Sequence, residues 1–369
     1  MSHHRAKAAS LAAAVFATLV LAAAVLAAAG CSQESAAAIY PTADLRPPGL
    51  VAAGPSDSRS VLLRFDEAVT PVQGSLSVEP RSDLSARAED KDLVVSFASD
   101  QSPGTDYALA GEVDDLKGNR ARFLLRFTGW NDCAPRLRLS EVQTGKNSSK
   151  TKPHRDYIEL EVLADGNLGG EELSWASSVK SSIYRFPGVE VKKGDFIVLH
   201  LAPEGLSEER DELGADLSAS GGVDASATGR DFWYAGAPLP DESGAIALAL
   251  RPGDQPIDGL FYADESKTGS LSDDKLAEML TSLAAAKAWP LAGAKPAWED
   301  GFRWNSSPAK SICRLDAASG AGAWYATATG AQSPGALNAG PETPAAVQAK
   351  TSAKGAAKKV SKRISAKKP

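Results

Sequence analysis

Apolar and polar residues alternate along most of this chain, with few stretches at helical spacing. In "SVLLRFDEAV" Val61, Leu63 and Phe65 share one parity against Leu62, Arg64 and Asp66. "DLVVSF", "TDYALAGEV" and "ARFLLRFTG" follow, separated by the turn signals "SPGT" at 102–105 and "DDLKGN" at 114–119. Period-two segments at roughly ten-residue spacing predict a β-sandwich over 50–130. A second strand-rich region begins at Arg136 with "LRLSEV", then "RDYIELEV" at 155–162, "IYRFPGVEVKKGDFIVLHL", "GAIALALRPGDQPIDGLFY" and "SICR". In "RDYIELEV", Ile158, Leu160 and Val162 are expected to face inward, with Tyr157, Glu159 and Glu161 on a wet face. The two acids would stand about 7 Å apart, a spacing compatible with a glycosidase pair but also with any solvated strand face.

Two stretches break the strand pattern. Residues 203–243 are polar and rich in Gly, Asp and Glu, which predicts a long surface loop. Residues 270–289 predict a helix, because Leu276, Met279, Leu280 and Leu283 fall at i, i+3, i+4 and i+7. Ser270 with Asp273 forms a capping-box pattern, Ser272 is a rival cap, and Pro290 stops the helix.

Several stretches resemble known families. "LLRFDEAV…LVVSF…PGTDYALAGEVDDLKGNRARFLLRF" is similar to the SbsA-type Ig-like domain of bacterial proteins. Residues 136–338 resemble a lamin tail domain, itself an Ig-like sandwich. That resemblance is carried by Glu141, by Tyr157 to Leu160, by Phe186 and Pro187, and by Gly194 to Phe196. It continues through Gly253, Ile257, Asp258, Arg314 and Trp324 to Ser333, Pro334, Gly335 and Asn338. The expected class is therefore all-β, with two Ig-like sandwiches in tandem: 50–130, and 133–340 with insertions at 203–243 and 270–289. The lamin-tail resemblance implies an interaction module.

The N-terminus changes the picture of where the protein works. "MSHHRAK" is a charged start, residues 8–29 are almost unbroken Ala, Leu and Val, and "LAAAGC" ends at Cys31. This resembles a bacterial lipoprotein signal, with residues 1–30 removed, Cys31 acylated and 31–49 left as a tether. The apolar run is also long enough to span a bilayer, so a retained N-terminal anchor is the alternative. Either reading exports the body, so the expected location is the cell envelope, facing the periplasm or the cell surface.

Charge is uneven. The chain has 40 Lys and Arg against 46 Asp and Glu, a net charge of −6. Eight of the basic residues lie from Lys350 onward, where there is no acid, and two more are Arg5 and Lys7. An acidic body with 30 basic and 46 acidic residues thus lies between basic ends, which argues against a nucleic-acid-binding face on the body. The segment 341–369 is too poor in apolar residues to fold alone. Its Lys358, Lys359, Lys362 and Arg363 are candidates for contact with an envelope protein or an anionic polymer.

Candidate chemistry is sparse. Beyond the signal only His154 and His200 remain, too few for a histidine-based triad or zinc site. There is no nucleotide loop, nucleophile elbow or zinc-protease motif, and no cofactor is expected. Ser177–Lys180 and Ser307–Lys310 match a Ser-x-x-Lys pattern without opening a predicted helix. Asp114, Asp115 and Asn119 gather oxygen ligands that calcium would accept, though a hairpin turn uses the same residues. "RDFWY" places Phe232, Trp233 and Tyr234 together as either a core strand or an exposed recognition patch. With Cys31 acylated, Cys133 and Cys313 remain as a disulfide pair between early and late strands of the second sandwich. The functional expectation is a non-catalytic binding or scaffolding protein of the envelope, membrane-bound through lipid at Cys31. An envelope hydrolase of polysaccharide or nucleic acid is the alternative.

Overall fold

The computed structural model describes residues 44–145, 154–272, 274–315 and 318–341. The described chain is all-β apart from one α-helix and two short 3-10 turns. Its strands sort around two separate hydrophobic cores.

The first core belongs to β1 (Leu50–Asp57), β2 (Ser60–Phe65), β3 (Val69–Pro71), β4 (Ser77–Glu79), β5 (Leu84–Glu89), β6 (Asp92–Phe97), β7 (Asp106–Asp115) and β8 (Arg120–Thr128). One sheet runs β1-β2-β6-β5, and the other is built around β7, which pairs with β3, β4 and β8. The alternation works as expected. Val61, Leu63 and Phe65 of β2 and Leu93, Val95 and Phe97 of β6 meet Leu109 and Val113 of β7 between the sheets. Tyr107 stacks on Phe127 at 5.4 Å and meets the edge of Phe97 at 5.8 Å.

The second core is larger. Its strands are β9 (Arg136–Gln143), β10 (Tyr157–Ala164), β11 (Gly166–Asn167), β12 (Glu172–Ala176), β13 (Ser181–Arg185), β14 (Glu190–Val191) and β15 (Phe196–Leu201). They continue with β16 (Arg230–Tyr234), β17 (Gly244–Ala249), β18 (Asp258–Asp264), β19 (Phe302–Trp304), β20 (Ile312–Arg314) and β21 (Trp324–Ala326). A six-stranded sheet, β16-β15-β10-β9-β20-β21, faces a five-stranded one, β13-β12-β17-β18-β19. Ile158, Leu160 and Val162 point between them, together with Leu173, Trp175, Ile246 and Leu260.

The helix α1 (Lys275–Ala285) packs on the five-stranded sheet against β12, β17 and β18. Leu276, Leu280 and Leu283 are fully buried, each contributing about 1.5–3 kcal/mol of apolar burial. Gly259 in β18 makes room, since a Cβ there would lie 2.4 Å from Leu283 Cδ2. With the other sheet on one side and the helix on the other, β17 is buried at every position, which explains the unbroken "GAIALA". The helix is shorter than the expected 270–289. Its N-cap is Asp274, whose Oδ1 accepts from the amides of Leu276 and Ala277 at 3.1 Å, and Ser272 supports that cap instead of replacing it. The Asp273 half of the expected capping box lies outside the described residues.

The polar stretch 203–243 is not loop throughout, because it contains β16. That strand joins β15 in parallel as the edge of the six-stranded sheet. A parallel neighbour needs a crossover of a dozen residues or more, and the segment between Leu201 and Arg230 supplies it. The helix segment does the same for the other sheet, where β19 joins β18 in parallel.

Candidate functional site: a covered acidic layer and a junction cleft

The face expected to be wet is dry at Tyr157 and Glu159, and only Glu161, paired with Arg138 at 2.6 Å, keeps some exposure. Glu141 of β9 and Glu159 of β10 stand opposite each other in the register, and both are completely buried. The chain after β21 runs back across this face as a strap. Ser333 donates to Glu141 Oε2 from its amide at 3.2 Å and from its hydroxyl at 3.0 Å. The Gly335 amide donates to Glu159 Oε2 at 2.7 Å, and Asn338 Nδ2 donates to Ser140 Oγ at 3.1 Å. Tyr157 Oη donates to Glu141 Oε1 at 2.8 Å, and the Ser311 hydroxyl donates to the same oxygen. Glu159 Oε1 meets no donor among the described residues. Burial pushes both carboxyls up, against the hydrogen bonds that hold Glu141, and the facing Glu141 raises Glu159 further. Two carboxyls opposite each other away from water favour a protonated form. Every oxygen with a partner here is held by the fold's own donors.

Of the residues that carry the lamin-tail resemblance, Glu141, Tyr157, Glu159, Ser333, Gly335 and Asn338 meet in this layer, and Asp258, Arg314 and Trp324 form a clamp. Arg314 Nη2 lies 2.6 Å from both oxygens of Asp258, its Nε donates to Leu139 O at 2.7 Å, and its guanidinium lies over Trp324 at 4.5 Å. Asp258 Oδ2 also accepts from the Leu139 amide at 2.8 Å. Asp258 sits on one sheet and Leu139 and Arg314 on the other, so the clamp ties the sandwich together.

"RDFWY" is a strand of the fold and not an exposed patch. Phe232 is in the core, and Tyr234 packs against Trp175 and Tyr184. Trp233 stacks on His200 at 4.1 Å and donates to Ser220 Oγ at 2.8 Å. His200 is fully buried, with its Nε2 2.9 Å from Asp231 Oδ1. The crossover segment closes over this edge through Glu212, whose carboxylate accepts from the amides of Asp231 and Ser220. His154 meets Asp224 at 2.9 Å and belongs to the same packing.

The calcium reading loses its ligand set. Asp114 is taken by Arg120, with contacts of 2.8 and 2.9 Å, and Asn119 points its amide nitrogen at Asp115. Asp115 Oδ1 closes the turn by accepting from the amides of Lys117 and Asn119. Its carboxylate lies with those of Asp44 and Glu67, within 4.8 Å of one another, a grouping that only the folded chain creates. Ser177–Lys180 is a turn closed on its own backbone, and Lys310 donates its amide to Ser307 O.

The disulfide between Cys133 and Cys313 does not form. Cys133 is exposed and Cys313 buried, and both are free. The early and late strands do pair, as β9 with β20, but the register sets Cys313 opposite Glu141, eight residues along the chain from Cys133. Burial pushes the Cys313 thiol up, and its Sγ donates to Asn338 Oδ1 at 3.1 Å. In the native protein a maleimide should therefore label Cys133 and leave Cys313 unreacted until the chain is denatured. Mass spectrometry of the labelled peptides checks this. Cys31, Lys358, Lys359, Lys362 and Arg363 lie outside the described residues. Among the described residues no helix is long and apolar enough to cross a membrane.

The two sandwiches meet backbone to backbone. The Pro103–Gly104 turn of the first rests on Gly169, Gly170 and Gly188 of the second. A Cβ on Gly169 would lie 2.4 Å from Pro103 C, and one on Gly188 would lie 2.6 Å from Pro103 O. Asn131 in the linker donates to Asn167 O at 2.7 Å and to Gly169 O at 3.0 Å, and accepts from the Cys133 amide. Beside this contact opens a cleft of about 420 Å³, lined from both domains by Arg126, Phe127, Trp130, Asn131, Arg251 and Asp254 among others. No sequence motif announces it, because its walls come from four separate segments, with Arg126 and Arg251 more than a hundred residues apart.

A family profile described as TP_1001_2nd, protein second domain, matches residues 135–348. An "Uncharacterized protein" of Treponema pallidum (strain Nichols) is 30% identical over 142 residues, which is 38% of this chain and 35% of that protein. The matched part thus spans about a third of that relative's length. The crystal structure of a DUF4876 family protein from Bacteroides thetaiotaomicron aligns with 54% of this chain and 75% of its own, at 10% identity and a TM-score of 0.23. With its second sandwich matched almost from end to end, the chain belongs to the TP_1001_2nd family.

Proposed function

We propose that this chain is a non-catalytic binding or scaffolding protein of the cell envelope, exported and held to the membrane by lipid on Cys31. The observation that carries the reading is the contrast between its acids and its surface. Glu141 and Glu159, two facing carboxyls with the raised pKa expected of a hydrolase, are sealed under the 333–338 strap and held by amides and hydroxyls of the fold. A general acid has to reach the proton acceptor it serves, and these two touch only the chain itself. The junction, by contrast, offers an open cleft between two domains in contact, the usual setting for a ligand.

The signal segment supports the location, and the basic residues Lys358, Lys359, Lys362 and Arg363 offer a second contact for an anionic partner. Two acyl chains on Cys31 would hold firmly, at about 0.8 kcal/mol per buried CH₂. The test is fractionation of cells producing the intact precursor. Wild type should partition with membranes, and Cys31→Ala should be released or accumulate unprocessed outside the membrane fraction. A Cys31→Ala protein that stays membrane-bound at full precursor length would favour a retained N-terminal anchor and sink the lipid attachment.

A further inference from the structure

We infer that the cleft between the two sandwiches binds a small carboxylate-bearing ligand with a body of one to two rings, Arg126 and Arg251 taking the carboxylate. This deepens the binding reading above and rests on it.

Two cations line one opening of an otherwise acidic body. Arg251 lies with its guanidinium 3.8 Å over the Trp130 ring. Its fixed contacts are loose: 3.4 Å from Nη2 to Asn131 O, and 3.8 Å from Nη1 to Asp254. Its Nε is buried and meets no acceptor among the described residues. A guanidinium carries five N–H donors in a planar fork, and these two long contacts leave donors of the Nη groups unspent. Stacking on Trp130 fixes the plane of the fork, which suits a planar carboxylate better than a point charge would. Arg126 stands on β8 in the other domain, exposed, with no acceptor among the described residues, and it lines the same cleft.

The walls set the rest of the ligand. Phe127, Trp130, Pro55 and Pro252 offer apolar surface beside the cations. The volume of about 420 Å³ falls within the usual range for small-molecule sites and exceeds what a bare inorganic ion would fill. Gly169 and Gly170 form part of the floor: a Cβ on Gly169 would strike the docked turn, and Gly170 holds a φ of +87° that strains any other residue. The glycine contact and the Asn131 hydrogen bonds hold the two walls together before any ligand arrives, which lowers the ordering cost of binding. Asp254 is the competing charge. At 3.8 Å and substantially exposed it is a weak partner that a better-placed carboxylate can displace.

The full mature chain can be titrated with D-glucuronate, with D-glucose and inorganic phosphate as separate arms, following Trp fluorescence and heat. Glucuronate should bind, and glucose and phosphate should bind much more weakly. Arg126→Gln, an exposed position whose loss leaves the fold intact, and Arg251→Gln should each weaken glucuronate about tenfold or more, the scale of one charge-assisted hydrogen bond. Asp254→Asn should tighten it. Absence of glucuronate binding at millimolar concentration, equal binding of phosphate, or affinity indifferent to both arginine changes would overturn the assignment. Membrane retention through Cys31 is read without ligand, so a failed titration with retention intact removes the cleft and leaves the envelope reading standing.

Discussion

Replacing Asp258 by alanine should lower the free energy of unfolding by about 3–5 kcal/mol, the penalty for leaving a buried charge without its partner. Arg314 has little alternative. Its side chain is only 6% exposed, and beyond Asp258 it bonds to the carbonyls of Leu139 and Ala318. Neutral carbonyls do not balance a guanidinium in a dry site. The Leu139 amide, which donates to Asp258 Oδ2, would lose its acceptor as well. The reverse change, Arg314→Met, should cost less, because Asp258 keeps the amides of Leu139 and Gly259. The double variant Asp258→Ala, Arg314→Met should recover much of the loss. Urea unfolding of the four proteins closes the cycle, and a coupling energy near zero would show that the clamp is not a unit.

How far the fold could be read depends on what each segment has to cover. Strands with one face on a core announce themselves by period two, and β2, β6, β7 and β10 are legible for that reason. β1 is not, because "LVAAGPSD" pairs as an exposed edge strand with Gly54 and Pro55 inside it and no apolar face to keep. The parity of "RDYIELEV" reads correctly while the environment of its polar face does not. Alternation says which residues share a side, and it carries no information about a strap that arrives 170 residues later. The two departures from strand pattern read as insertions into a sandwich. In the structure both are crossovers that bring β16 and β19 back in parallel, a role that depends on where the chain returns and not on its local composition. The cysteines show the same limit at the level of one strand: neighbouring strands follow from topology, but bridging needs a register that sequence does not display. The junction cleft lies furthest from view, since Arg126 and Arg251 belong to different domains.

Glu171 should make the protein lose stability as pH rises from about 4.5 to about 9, and Glu171→Gln should remove that slope. Glu171 precedes β12 on the parity of Leu173 and Trp175, completely buried, and neither of its carboxyl oxygens meets a donor among the described residues. Burial alone pushes its pKa up to about 9 from an ordinary value of 4.5. The folded protein therefore holds a proton that the unfolded chain releases above 4.5. Where the folded state binds more protons, stability falls with rising pH. The contribution is fully present below 4.5, declines through neutral pH, and is exhausted once the folded group itself ionises near 9. At about 1.4 kcal/mol per pH unit, the loss by pH 8 is on the order of 5 kcal/mol. Glutamine has the size and the neutrality of the protonated acid, with an amide NH₂ in place of its hydroxyl. Its stability should match wild type at acid pH and exceed it by that margin at pH 8. The other raised carboxyls, Glu67, Glu141, Glu159 and Asp211, titrate in both proteins and cancel in the difference. Urea midpoints for the pair at pH 4.5, 6, 7 and 8 measure it. Parallel curves would mean that Glu171 is ionised at neutral pH and has found a cation or donor on folding.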